Sequence, residues 1–185
     1  FLLCLLLLGI SLHVIAKRDR GLFNSAYTDE LTGLYNRRAY EEGLDRIRKD
    51  VPSEKRIVVA IFDVNGLKEV NDKLGHASGD EMLRGAASTI RSVYGSYGKC
   101  YRTGGDEFVV ILEEPVEKLS VLNESFEKAA EKWHGKQVAE LNISYGAALS
   151  EEVCSIDEQI ILADQRMYFA KKAYYQRIGK DRRNY

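Results

Sequence analysis

The sequence predicts an α+β domain whose central, mostly antiparallel β-sheet is flanked by helices, with a βααββαβ core. Three observations carry that prediction. The run IVVAIF at 57–62 is continuously apolar and rich in β-branched residues, the pattern of a strand buried on both faces. KCYR and EFVVIL, at 99–102 and 107–112, flank a Thr-Gly-Gly-Asp turn and read as a hairpin. Long stretches of helical periodicity separate these strands, so helices must pack on the sheet.

The elements run in this order. DELTGLYNRRAYEEGLDRIRKD, 29–50, reads as an amphipathic helix with Asp29 placed to cap it and Leu31, Leu34, Tyr35, Leu44 and Ile47 near helical spacing. After the IVVAIF strand, 66–75 and 79–94 read as helices joined near Gly75-His76. The hairpin comes next, and VEKLSVLNESFEKAAEKW, 116–133, is again amphipathic. LNISYGAA, 141–148, alternates apolar and polar residues as a half-buried strand does. SIDEQIILADQRMYFAKKAYY, 155–175, is the last helix, with Ile156, Ile160, Ala163, Met167 and Ala170 on one stripe.

The N-terminus differs from this average. FLLCLLLLGISLHVIA, 1–16, is almost wholly apolar and is succeeded at once by Lys17, Arg18 and Arg20. It is shorter than the roughly 20 residues of a full span, and the chain opens on Phe, so it reads as the end of a transmembrane helix cut from a longer protein. The basic residues place the C-terminal side of this segment in the cytoplasm, making an inner-membrane protein with its folded domain on the cytoplasmic face. Residues 17–27 form a short connector and 28–185 the domain. With 27 basic and 28 acidic residues, net charge −1, no basic field favours nucleic acid. Cys4, Cys100 and Cys154 are far apart and form no CxxC pair, which excludes a disulfide framework and a zinc site.

The chemistry collects around two carboxylates. Asp63 ends the first buried strand and Asp106 opens the second, so antiparallel neighbours bring them together. Two acids at a buried strand edge repel unless something neutralises them, and Mg²⁺ is held by one or two carboxylates, with substrate phosphates and water. Gly66, Gly104 and Gly105 leave the backbone open to a bulky ligand. The turn into the helix at Leu67-Lys68 offers N–H groups to phosphate, and Lys68 and Lys171 supply positive charge.

DELTGLYNRR, FDVNGLKEVNDKLGHASGD, YRTGGDEF and ADQRMYFAKK together resemble, in order and spacing, the motifs of GGDEF-domain diguanylate cyclases. The resemblance covers residues from about 25 to 185 and implies a nucleotidyl-cyclase, palm-like fold. It implies that two GTP molecules, one on each domain of a homodimer, are joined into cyclic di-GMP with release of pyrophosphate. Asp63, Asp106 and the Val64 carbonyl would hold Mg²⁺, with Mn²⁺ as a substitute. Asn71, His76, Asp80, Gly104 and Gly105 would contact GTP, Asn71 and Asp80 at the guanine, and Lys171 would contact the triphosphate. Lys68 would stabilise charge on the α-phosphate, and Asp106 or its neighbour Glu107 would take the proton.

The chain departs from the family pattern in three places. Asn65 stands where a second Asp is common, a variant expected to be tolerated, and Gly66-Leu67 beside it where an aromatic pair is common. Gly95 and Gly98 stand where an R-x-x-D grips product dimers, so no inhibitory product site is expected. Tyr175 holds the helical position of a phosphate-binding arginine, for which Lys180 or Arg182 would substitute. The rival reading is a degenerate, inactive domain that binds GTP or cyclic di-GMP as a dimerisation module.

Overall fold

The structure, a computed structural model, describes residues 26–50, 56–113 and 118–179. The apolar run 1–16, most of the connector, and Lys180 and Arg182 lie outside the described residues. Among the described residues, no helix is long and apolar enough to cross a membrane. The elements are α1 (Arg37–Asp50), β1 (Val58–Val64), α2 (Leu67–Leu74), α3 (His76–Tyr94), β2 (Gly98–Arg102), β3 (Glu107–Leu112), α4 (Leu119–Glu131), β4 (Ile143–Leu149) and α5 (Ile156–Arg177). The order from β1 onward is the βααββαβα expected.

The strands form one sheet, β2-β3-β1-β4, and every pairing is antiparallel. β1 is central, and all seven of its residues are buried. Its even positions Val58, Ala60, Phe62 and Val64 face a core built with α3 and α4, while Val59 and Ile61 face one built with α1 and α5. The first core is aromatic at its centre: Phe62 meets Phe126 edge-on with centroids 5.1 Å apart, and Tyr94 and Tyr145 close the group. Edge and offset contacts of this kind add about 0.5–1.5 kcal/mol each beyond area burial. β4 alternates half-buried and buried residues, the pattern read from LNISYGAA.

The first helix differs from its sequence reading. It starts at Arg37, not near Asp29, and its cap is Asn36, whose Oδ1 accepts the Ala39 N–H at 3.0 Å. Residues 28–36 instead form a tight turn, with the Gly33 N–H on the Asp29 carbonyl and Gly33 at φ 67°. The segment then runs beside β2, the Tyr35 N–H bonding to the Cys100 carbonyl and the Arg102 N–H to the Tyr35 carbonyl. The physical reason is visible in the packing. Leu34 belongs to the core on one side of the sheet and Leu44 to the core on the other, so no single helical stripe could carry both.

Smaller boundary shifts have local causes. Ala26 and Tyr27, the end of the expected connector, are helical. α3 begins at His76, three residues earlier than expected, because Gly75 at φ 84° and ψ 163° breaks the chain in one residue. Only glycine adopts that backbone readily.

Candidate functional site

Strand register builds the centre of the site. β1 and β3 pair so that Asp63 lies directly opposite Glu107, and the next residue of β1, Val64, donates its N–H to the Asp106 carbonyl at 3.0 Å. The expected meeting of Asp63 and Asp106 is therefore a meeting of backbones at the strand ends. Glu107 is the residue that stands across the sheet from Asp63, a placement that the sequence reading did not specify. Asp63 is buried, Asp106 half-buried and Glu107 exposed.

A cation from α5 neutralises the buried acid. Lys171 Nζ lies 2.5 Å from Asp63 Oδ2, and the two side chains are 15% and 7% exposed. The resemblance assigned Lys171 to phosphate; in this structure its ammonium sits on the carboxylate. One turn further along α5, the Tyr175 hydroxyl accepts the Gly66 N–H at 3.3 Å. Gly66 is left-handed, at φ 76°, where α2 begins. Two side chains of α5 thus cover the acid and the amide turn of β1–α2, the groups expected to take metal and phosphate. Lys68, in the first turn of α2, is exposed beside them.

Asn65 is accounted for by the tertiary structure. It is 3% exposed and exchanges hydrogen bonds with the Ser144 hydroxyl across β1 and β4, at 2.8 and 3.2 Å. It is thereby engaged with β4.

The nucleotide-contact candidates ride on the α2–α3 pair. Asn71 lies in α2, while His76 and Asp80 lie in the first turns of α3. A Cβ on Gly79 would overlap the Asn71 side-chain oxygen, so this glycine is the seat of the Asn71 amide and brings it beside Asp80 on the chain. His76 is exposed, and Asp80 is half-buried with Arg84 3.6 Å away.

The hairpin between β2 and β3 is held from outside it. Gly104 and Gly105 do not take left-handed backbone, and a Cβ on Gly104 would crowd the Glu107 carboxylate at 2.9 Å. A Cβ on Gly105 would meet nothing within 4 Å, leaving that position open to a ligand. Arg102 donates to the Gly105 carbonyl at 2.7 Å and to both Asp29 carboxylate oxygens at 3.1 and 3.2 Å. Burial opposes the Asp29 charge, but the Thr32 hydroxyl and the Arg102 guanidinium hold its carboxyl below the usual range. The sequence reading missed Asp29 and Arg102 as a pair anchoring this turn. Gly95 comes directly after α3 and Gly98 opens β2; both line a 280 Å³ cavity with Arg91, Lys99 and Cys100.

The acids fit a hard divalent cation. They offer carboxylate oxygens and a backbone carbonyl on adjacent strand ends, one of them already balanced by an ammonium. Among the described residues no three His, Cys, Asp or Glu side chains group as a metal centre; the proposed set needs only two carboxylates with the Val64 carbonyl.

Comparison with known proteins places the architecture. The family profile described as diguanylate cyclase, GGDEF domain, matches residues 26–177. The chain is 36% identical over 161 residues to the probable diguanylate cyclase DgcI of Escherichia coli, covering 84% of this chain and 34% of that protein. It is 33% identical over 163 residues to the diguanylate cyclase DgcN of the same organism, covering 85% and 40%. It thus spans well under half the length of these relatives. The GGDEF domain of DgcB from Caulobacter crescentus, solved in complex with c-di-GMP, superposes with a TM-score of 0.72 at 28% identity, covering 80% of this chain and 91% of that one. The chain belongs to the GGDEF-domain diguanylate cyclase family.

Proposed function

We propose that this chain is the catalytic output of a membrane-tethered diguanylate cyclase, joining two GTP into cyclic di-GMP and releasing pyrophosphate. The observation that supports it most is the strand-end register, with Asp63 opposite Glu107 and Val64 bonded to Asp106 beneath Lys171. A scaffold has no need of a buried acid under a lysine, beside an open glycine turn.

In this reading Asp63, Asp106 and the Val64 carbonyl would hold Mg²⁺ or Mn²⁺, which when bound would supply charge neutralisation at phosphate and a more acidic attacking hydroxyl. The protein does the rest by position and charge. The Gly66 turn receives phosphate once Tyr175 yields its N–H. Lys171, which sits on Asp63, turns to the triphosphate, and Lys68 faces the α-phosphate. The 3′-oxygen of one GTP bonds to the α-phosphorus of the other, the bond to pyrophosphate breaks, and Asp106 or Glu107 accepts the proton; the same transfer in the reverse sense closes the ring and releases the second pyrophosphate. One domain holds one GTP, so the reaction requires a homodimer with its two sites facing. The apolar run 1–16 tethers the domain to the cytoplasmic face of the inner membrane.

Incubation of the chain with GTP and Mg²⁺, under forced dimerisation, is expected to yield cyclic di-GMP and pyrophosphate. GTP binding without turnover would instead establish the inactive, receptor-like reading. Base choice is assigned to Asp80, whose carboxylate accepts from guanine N1–H and the exocyclic amine. Asp80→Ser is expected to narrow the preference for GTP over ATP by about 100-fold or more in kcat/KM, and an unchanged ratio would remove Asp80 from that role. Added cyclic di-GMP is expected to leave the initial rate unchanged, since Gly95 and Gly98 offer no side chain to grip it; strong inhibition would reveal a separate product site.

A further inference from the structure

α3 is clamped along one stripe that the proposed chemistry does not use. Ser78, Glu81 and Gly85 lie at helical spacing on it, and each meets the segment 133–138 between α4 and β4. The Glu81 carboxylate accepts three backbone N–H groups, from Lys136 at 2.6 Å, Gln137 at 2.8 Å and Val138 at 3.1 Å. The Ser78 hydroxyl lies against the Gln137 side-chain oxygen. A Cβ on Gly85 would run into the Trp133 ring, and one on Gly135 would crowd both that ring and the Glu81 carboxyl. The Gly135 N–H closes the segment on the Val138 carbonyl at 2.9 Å. Those three N–H bonds hold the Glu81 carboxyl below the usual range.

The clamp has the two base-reading candidates between its jaws. Asp80 is the residue before Glu81, and Gly79, the seat of the Asn71 amide, precedes Asp80. The far end of the same loop is tied to the phosphate side, where the Asn65 N–H bonds to the Asn142 carbonyl at 2.9 Å, one residue before Gly66. Loop 133–142 therefore joins the helix that carries Asp80 to the turn that would take phosphate, and the Glu81 carboxylate ties it to the helix through three backbone N–H groups.

We infer that Glu81 is a positioning residue for guanine recognition. It touches no substrate group; it holds α3 in register with the β1–α2 turn so that Asn71 and Asp80 meet the base while the phosphates lie on Gly66. The inference rests on the diguanylate cyclase reading. A loosened clamp weakens binding and base discrimination first and the chemical step last, because the groups around Asp63 and Asp106 are held by strand register and not by this loop.

The test compares the full chain with Glu81→Ala and Glu81→Gln. GTP and ITP, which lacks the exocyclic amine, are the probes, with pyrophosphate release and calorimetric GTP binding as readouts. In Glu81→Ala, KM for GTP is expected to rise about tenfold and the GTP-to-ITP preference to fall about tenfold, with kcat within about twofold. Glu81→Gln keeps an acceptor oxygen and the side-chain volume, and is expected to lie between Ala and wild type. Thermal melting separates folding from positioning: lower stability with unchanged KM and unchanged preference, in both variants, overturns the inference. A wild type that discriminates and variants that discriminate equally overturn this inference alone. A wild type that binds neither nucleotide overturns the functional reading, and this one with it.

Discussion

Asp106→Ala is expected to lower cyclic di-GMP formation by at least about a thousandfold, equivalent to about 4 kcal/mol of transition-state stabilisation. The fold should survive it. What Asp106 gives the sheet is its backbone carbonyl, which accepts the Val64 N–H, and alanine supplies that carbonyl equally well. Its side chain is half-buried at the start of β3, not a member of either apolar core. Pyrophosphate release measures the loss, and a melting curve superposable on wild type confines it to the site. Activity retained within tenfold would mean that the carboxylate is not part of the metal set.

Lys171→Met carries the second large effect, on stability. Asp63 is 7% exposed, and the Lys171 ammonium is 2.5 Å from its Oδ2. Removing one partner of such a pair strands a buried charge and costs about 3 kcal/mol. For a domain of this size the melting temperature should fall by roughly 6–12 °C. Two controls identify the cause. Asp63→Asn in the Lys171→Met background should recover most of the loss, because the stranded charge is then gone and the double-mutant coupling is large. Mg²⁺ should raise the melting temperature of Lys171→Met more than that of wild type, because in wild type the ion competes with the ammonium for the carboxylate. A Lys171→Met chain as stable as wild type would show that the pair contributes nothing, and that Asp63 is solvated well enough without it.

Much of the sheet was legible in the residues, and the errors are instructive. Continuous apolar residues marked β1 as central, and strict alternation marked β4 as covered on one face, because burial acts on each side chain where it stands. The reading of 29–36 as helix failed for a reason of the same kind. Leu31, Leu34 and Tyr35 have helical spacing, but Gly33 at φ 67° turns the chain, and Leu34 and Leu44 go to opposite faces of the sheet. Periodicity reports that residues are buried; it does not report which core they enter.

The candidate site divides along the same line. Asp63, Gly66, Asn71, Asp80 and the GGDEF turn stood out in the sequence because acids and glycines beside buried strands are unusual, and because their order matched a family. Asp29 was read as a helix cap, since its true partner, Arg102, is 73 residues away. Nothing local announces Glu81 as the anchor of a loop 55 to 57 residues further on. The ammonium of Lys171 on a carboxylate 108 residues earlier is equally silent.

By itself, then, the sequence determined the element order and the two-sided burial of β1, since each rests on the solvation and backbone preference of short stretches. Only the tertiary structure decided that Glu107 faces Asp63, that Lys171 and Tyr175 cover the acid and the amide turn, and that Glu81 clamps the helix of Asp80. Those are hydrogen bonds and ion pairs between distant segments, and their energy exists only once the sheet register has brought the partners within reach.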